Sequence, residues 1–267
     1  MAPAPFELFA VKYAHHHRLA RESVVFGDIH DGPMPLDYFV WVAKSAERTF
    51  VIDTGFDEAT AVKRERPLIR STGDAVRLLG VDPAHVEDVI ITHLHYDHAG
   101  DFQTFGRARF HLQDSEMAYA TGRHMCHGRL QMPFDVEHVT GMVRAVYGGR
   151  VAFHDGSVEL CPGFELHRVG GHSNGLQVCR VWTRRGWVVV ASDATHFYLN
   201  IETGNPFPIV FSVADMLEGH KTCLQLAESR TLRHVVPGHD PLVLERYPAV
   251  SSELEGIACR LDEEPAA

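Results

Sequence analysis

Apolar residues occur along this chain in short β-branched runs that stop at Gly, Asp or Asn: TFVIDTG, DVIITH, ARFHLQ, RVAFHDG, FELHRVGG, LQVCRVWTRRGWVVVASDA and RHVVPGHD. Runs of this kind, bounded by turn residues, predict strands. LDYFVWVA adds another, in which Tyr38, Phe39 and Trp41 are expected to pack on the sheet rather than touch a substrate. Helical spacing appears between some of these runs, in GDAVRLLG, in DSEMAYATGRH and in SVADMLEGHKTCLQLAESR. In the last, Val213, Met216, Leu217, His220, Leu224 and Ala227 share one face, so His220 is expected to be a buried, hydrogen-bonded group. Strands and helices do not strictly alternate. The pattern therefore predicts an α+β architecture of mixed sheets with helices on their outer faces, not a doubly wound parallel sheet. No internal repeat and no Ser/Gly-rich linker divides the chain, and one domain over residues 1–267 is expected. From Ala14 to Leu36 periodicity is lost and His, Gly and Pro accumulate, which predicts a long loop, a lid at about residues 14–36. The acidic tail EEPAA is expected to fray.

Composition narrows the function. A hydrophobic fraction of 45% is ample for a packed core. No apolar run approaches the roughly 18 to 20 residues that cross a bilayer. MAPAPFELFAVKYAHHHR has no basic residue ahead of its apolar part and carries Glu7 and Lys12 within it, unlike a signal peptide. A cytoplasmic protein without a membrane partner is expected. Cys126, Cys161, Cys179, Cys223 and Cys259 are scattered and form no C-x-x-C pair, which predicts reduced thiols. A formal charge of -10 and the lack of a long basic run disfavour nucleic-acid binding. Histidine is in excess: 19, against 15 Phe and 7 Tyr, which points to bound metal.

THLHYDHAG places His93, His95, Asp97 and His98 within six residues, just where the apolar run DVIIT stops. Imidazole nitrogen and carboxylate oxygen are ligands that zinc accepts. An extended segment would send His93, His95 and Asp97 to one side, and a turn is needed to bring His98 to the same point. Four ligands cannot complete two metal shells. Three further places end β-branched runs in the same manner: His172 in GGHSNG, Asp193 in VVVASDATH and His239 in VVPGHD. A carboxylate ending the most apolar run in the chain is costly to bury unless it is paired or bound to metal.

Together these residues resemble the metallo-β-lactamase superfamily, from VIDTG at 51–55 through VPGHD at 236–240. Its H-x-H-x-D-H pattern is matched by His93, His95, Asp97 and His98, and its later ligands by His172, Asp193 and His239. The resemblance implies an αβ/βα sandwich, two mixed β-sheets flanked by helices, with metal at one edge between the sheets. It implies one ion on His93, His95 and His172, a second on Asp97, His98 and His239, Asp193 bridging both, and Asp53 supporting the ligands from behind. Two zinc ions per chain are the implied cofactors, although iron, manganese or cobalt also suit these ligands. A hydroxide between the ions is the implied nucleophile, because metal lowers the pKa of water from about 15.7 to about 7.

Within that superfamily the Asp193 bridge and His95 leave hydrolases of esters, thioesters and lactones. THLHYDHAG, GGHS, SDATHFY and PGHD are most similar to the N-acyl-homoserine lactonase and 4-pyridoxolactonase group. This implies opening of a lactone or related ester, with that small molecule as the partner; a homodimer stays open. Those lactonases carry a tyrosine three residues after the bridging aspartate, where this chain has His196. His196 is expected to face the substrate carbonyl, where imidazole can donate to an oxyanion, with Tyr198 as the substitute. Asp97, His196 and Tyr198 are thus the catalytic candidates. The alternatives are a thioesterase of the glyoxalase II type, disfavoured by the acidic ending RLDEEPAA, and a metal-binding domain without turnover, disfavoured by the presence of all seven ligands. His15, His16 and His17 read as a solvated or lid-lining stretch, and His30 as a pocket-lining candidate by its loop position.

Overall fold

The computed structural model describes residues 3–27, 31–228 and 232–266. Twelve strands form among them: β1 Glu7–His16, β2 Leu36–Lys44, β3 Thr49–Ile52, β4 Asp88–Ile90, β5 Arg109–Gln113, β6 Val151–His154, β7 Ser157–Cys161, β8 Phe164–Arg168, β9 Gln177–Thr183, β10 Gly186–Ser192, β11 Val235–Pro237 and β12 Ala258–Arg260. They make two mixed sheets, a seven-stranded one in the order β12-β1-β2-β3-β4-β5-β6 and a five-stranded one in the order β11-β10-β9-β8-β7. The helices are α1 Glu58–Arg64, α2 Thr72–Arg77, α3 Asp114–Ala120, α4 Gly128–Gln131, α5 Val136–Tyr147, α6 Tyr198–Thr203, α7 Val213–Leu226 and α8 Leu242–Arg246. None is long and apolar enough to cross a membrane.

Side-chain alternation along each strand creates the layers. In β2, Phe39, Trp41 and Ala43 point between the sheets, where they join Phe164 and Leu166 of β8 and Val188 and Val190 of β10. Phe50 stacks on Phe164 across that gap, with ring centroids 4.1 Å apart. The other face of β2, with Tyr38, Val40 and Val42, packs with Val76 of α2 and with Val139 and Met142 of α5. On the second sheet, Val189 and Ala191 of β10 pack with Cys223 of α7. The result is a helix–sheet–sheet–helix sandwich. Each buried aliphatic or aromatic side chain contributes about 1.5–3 kcal/mol, and a one-residue register slip would exchange the two faces.

The structure departs from the sequence expectation at the N-terminal side. β1 extends through Ala14, His15 and His16, and its last two residues pair with Asp37 and Leu36 of β2. The irregular segment therefore begins at His17 and contains a 3-10 turn, Ala20–Glu22, and an isolated bridge between Leu19 and Pro33. Cross-strand hydrogen bonding to β2 outweighs the weak strand preference of consecutive histidines. His30 lies outside the described residues, as do Ser229 and Arg230 of the stretch read as a helix and the last residue of the tail.

Parallel pairing sets up the site. β3 and β4 are parallel, β10 and β11 are parallel, and β8 runs with β10 because both are antiparallel to β9. The chain segments leaving these five strands carry Asp53, the His93–His98 cluster, His172, Asp193 and His239.

Candidate metal centre

After β4 the chain bends at Thr92 and turns beyond His95: the His98 and Ala99 amides both donate to the His95 carbonyl, at 3.1 and 3.2 Å. Asp97 is thus placed by a turn and not by strand alternation. The turn is pinned from outside, because the Thr54 amide donates to the His98 carbonyl at 2.8 Å and the Tyr96 amide to the Pro133 carbonyl at 2.9 Å.

Asp193 sits at the centre. Its Oδ2 lies 3.7 Å from His93 Nε2 and 3.1 Å from His172 Nε2, and His172 Nε2 is 2.8 Å from His95 Nδ1. Its Oδ1 lies 3.3 Å from His98 Nε2 and 3.0 Å from His239 Nε2, and each of these nitrogens is 3.8 Å from Asp97 Oδ2. Two groups of ligand atoms thus meet at opposite oxygens of one carboxylate: His93, His95, His172 with Asp193, and Asp97, His98, His239. Ligand atoms around one tetrahedral zinc lie roughly 3.3 Å apart, given bonds of about 2.0–2.1 Å, so these separations fit a metal ion. His93 Nε2, His98 Nε2 and Asp193 Oδ1 are buried and make no hydrogen bond among the described residues, which is the condition of atoms whose partner is an ion.

Charge follows the same logic. Burial holds the imidazoles of His93 and His95 well below their usual pKa, in the neutral form that can ligate. Burial alone would raise the Asp193 carboxyl, but His196, His239, His98 and His172 outweigh it and keep the group well below the usual carboxylate range. Asp193 in turn outweighs burial at His98 and His239 and raises their pKa, so a buried anion holds positive charge on the side of Asp97, the charge that a bound cation would supply.

A second tier of groups holds the ligands. Asp53, at φ 63° where β3 ends, accepts from the Thr92 amide at 2.7 Å and from Thr92 Oγ1 at 2.8 Å, and its Oδ2 is 2.7 Å from His98 Nδ1. That pairing leaves His98 Nε2 directed at the centre. His239 Nδ1 is fixed similarly, 3.0 Å from the Asp37 carbonyl. Glu116, at the start of α3, was not anticipated. It accepts from the Leu94 amide at 2.9 Å, the Ser173 hydroxyl at 2.7 Å and the Gly175 amide at 2.8 Å, tying the His93–His98 segment to the His172 loop. Gly238 must lack a side chain, since a Cβ there would stand 2.6 Å from Asp193 Oδ1 and 2.8 Å from the Ser192 carbonyl.

The centre opens into a cleft of about 580 Å³. His95, Asp97, His172, Asp193 and His239 form its floor, with His196 beside them. His196 Nε2 is 3.0 Å from Asp193 Oδ2, and its ring stacks on Phe207 with centroids 3.7 Å apart. With Asp193 and His239 it also forms a third group able to hold an ion. Tyr198 does not enter the cleft, which corrects the expectation for it. As the first residue of α6 it is buried between the sheets, its amide donating to Asp240 Oδ2 and its ring lying 4.0 Å beneath the Arg246 guanidinium. Tyr38 departs from pure sheet packing: it lines the cleft, with its hydroxyl 3.1 Å from that of Tyr96. Of the histidine triplet, His15 pairs with Asp37 at 2.6 Å, His16 lines the cleft and His17 is exposed. His220 is buried on α7, where burial pushes its pKa down to about 4.

A profile of the metallo-β-lactamase superfamily matches residues 34–248. The chain belongs to the metallo-β-lactamase superfamily. N-acyl homoserine lactonase AiiB of Agrobacterium fabrum is 30% identical over 174 residues, 62% of this chain and 61% of that protein, so the chain spans about three fifths of this relative's length. A quorum-quenching N-acyl homoserine lactone lactonase of known crystal structure superposes with a TM-score of 0.74 at 20% identity, over 90% of this chain and 94% of the other. AidC, a dizinc quorum-quenching lactonase, superposes with a TM-score of 0.69 at 18% identity, over 90% of this chain and 89% of the other. At these identities the structural likeness establishes the fold, the superfamily's two-sheet sandwich. Glu116 and Phe207 are the residues of this superfamily site that sequence reasoning missed, and a buried carboxylate on a helix facing two amides carries no local sequence signal.

Proposed function

We propose that this chain is a metal-dependent hydrolase that opens a lactone or related carboxylic ester at a two-ion centre. The division of Asp193 Oδ1 and Oδ2 between two ligand groups carries this reading, since a carboxylate so placed can bridge two cations. We assign His93, His95 and His172 to one ion, Asp97, His98 and His239 to the other, and zinc to both, in keeping with the dizinc lactonase AidC. Bound metal would supply hydroxide at neutral pH by lowering the pKa of water. His196, standing at the cleft floor, donates to the carbonyl oxygen as negative charge develops there. A C–O bond forms between water oxygen and the carbonyl carbon, the ring C–O bond breaks, and the leaving alkoxide takes a proton, giving a hydroxy acid. Within this single domain the described residues 17–27 serve as part of a lid, and Arg18 and Glu22 already stand in the cleft wall.

The test is zinc reconstitution followed by elemental analysis and a screen of lactones, aryl esters and thioesters. Two ions per chain, with lactone turnover that chelation abolishes, are expected. One ion or none, or turnover confined to thioesters, would overturn the reading in its metal or its substrate part respectively.

A further inference from the structure

Part of the cleft wall is basic, although the chain as a whole carries a formal charge of -10. Arg18, Arg64, Arg66 and Arg129 line it, against one carboxylate, Glu22, outside the metal-binding set. Among the described residues none of the four makes an ion pair. Arg64 is taken up by structure: it donates to the Met132 and Phe134 carbonyls at 3.1 and 2.7 Å and lies 4.0 Å over the Tyr96 ring. Arg18 and Arg66 are differently placed. Arg66 gives Nη1 to the Arg64 and Glu65 carbonyls, and among the described residues its buried Nε makes no hydrogen bond. Arg18 gives Nη2 to the Glu22 carbonyl and lies 4.7 Å over Phe207, the ring that stacks on His196.

The two guanidiniums are close enough to repel each other. Burial lowers half-buried Arg18, Glu22 and Tyr38 oppose that, and Arg66 lowers it further, while His16, beside them, is pushed down to about 4 by burial and then by Arg66 and Arg18. Half-buried like charges that share a single nearby carboxylate, Glu22, with no ion pair to it are under-compensated in the free protein and favourable around a further anion. Arginine in particular presents planar donors that match carboxylate or phosphate oxygens.

We infer that the substrate carries an anionic oxygen group, carboxylate or phosphate, which Arg18 and Arg66 hold beside the Tyr38–Tyr96 hydroxyl pair while the ester carbonyl lies over Asp193. This inference rests on the hydrolase reading of the site and narrows its substrate class. An acyl chain ending in a methyl group leaves the two guanidiniums unpaired.

The experiment compares 4-nitrophenyl hydrogen glutarate with neutral 4-nitrophenyl pentanoate, using the zinc-loaded full chain and its Arg66→Gln variant at verified equal metal content. The anionic ester should show kcat/KM at least about tenfold above the neutral one. In Arg66→Gln that ratio should fall by roughly ten- to a hundredfold, mainly through KM, the size of a lost charge-assisted hydrogen bond. No preference for the anionic ester, or a preference kept in the variant, overturns the inference. Turnover of neither ester nor of any lactone defeats the hydrolase reading instead, and whenever neither ester is turned over calorimetry with glutarate and with inorganic phosphate decides the anion site by itself. Binding of either that weakens tenfold or more in Arg66→Gln upholds the site and identifies its preferred anion. Binding unchanged in the variant places the anion on the metal and overturns it.

Discussion

His196 and Tyr198 stand two residues apart and have opposite fates. Asp193 follows β10 and the chain then turns, so His196 falls against Asp193, His172 and His239 while Tyr198 starts α6 and turns into the core under Arg246. His196→Ala should keep both ions and lose roughly a hundred- to a thousandfold in kcat, the size of one lost oxyanion donor. Tyr198→Phe should leave kcat close to that of the parent. Elemental analysis beside the kinetics separates the roles: loss of an ion in His196→Ala would make it a ligand through its group with Asp193 and His239. The seven ligand candidates were legible because each ends an apolar run and four share one short segment. The direction of Tyr198 was not, because it depends on a helix start that no periodic pattern announces.

The strand-end loops are individually irregular, and Glu116 makes two of them one unit. Its carboxylate is fully buried, and burial raises its pKa while the Leu94 amide, Ser173 hydroxyl and Gly175 amide oppose that rise. Glu116→Ala would leave three buried donors without an acceptor. At about 1–3 kcal/mol for each unsatisfied group, partly relieved by entering water, a loss of about 2–5 kcal/mol is expected in urea unfolding at neutral pH. Metal affinity should fall with it, because His172 is carried by the loop that Ser173 and Gly175 anchor. Unchanged stability and unchanged zinc affinity would show that the loops hold their shape without this carboxylate. Most of the elements were readable, since β2 and β10 are short, nearly unbroken apolar runs and α7 shows an apolar stripe. Strand β1 was not, because its histidine ending resembles a loop until β2 is seen beside it; α5 was not, because its inward face mixes His138 and Ala145 with Val139 and Met142.

At the scale of the whole molecule the metal centre is where the two sheets are tied together. Asp53 and the His93–His98 segment follow strands of the seven-stranded sheet, whereas His172, Asp193 and His239 follow strands of the five-stranded sheet. Away from this edge the sheets are joined by apolar packing, which the unfolded chain loses whether or not metal is present. At the edge, the unfolded chain has no assembled donor set, so metal binding adds directly to folding free energy. A site held at 100 times its Kd contributes about 2.7 kcal/mol, and for a domain of 150–250 residues each kcal/mol corresponds to about 2–4 °C in Tm. Calorimetric scans should therefore show Tm higher with excess zinc than with a chelator, by about 5–10 °C for one site and more for two, and rising with the logarithm of free zinc. In Asp193→Ala, which removes the one carboxylate among the described residues that touches both ligand groups, most of that rise should disappear. A Tm indifferent to zinc in the parent chain would mean that the two sheets reach their final arrangement without the ions, and that the buried ligands are preorganised by Asp53, Glu116 and the Asp37 carbonyl alone.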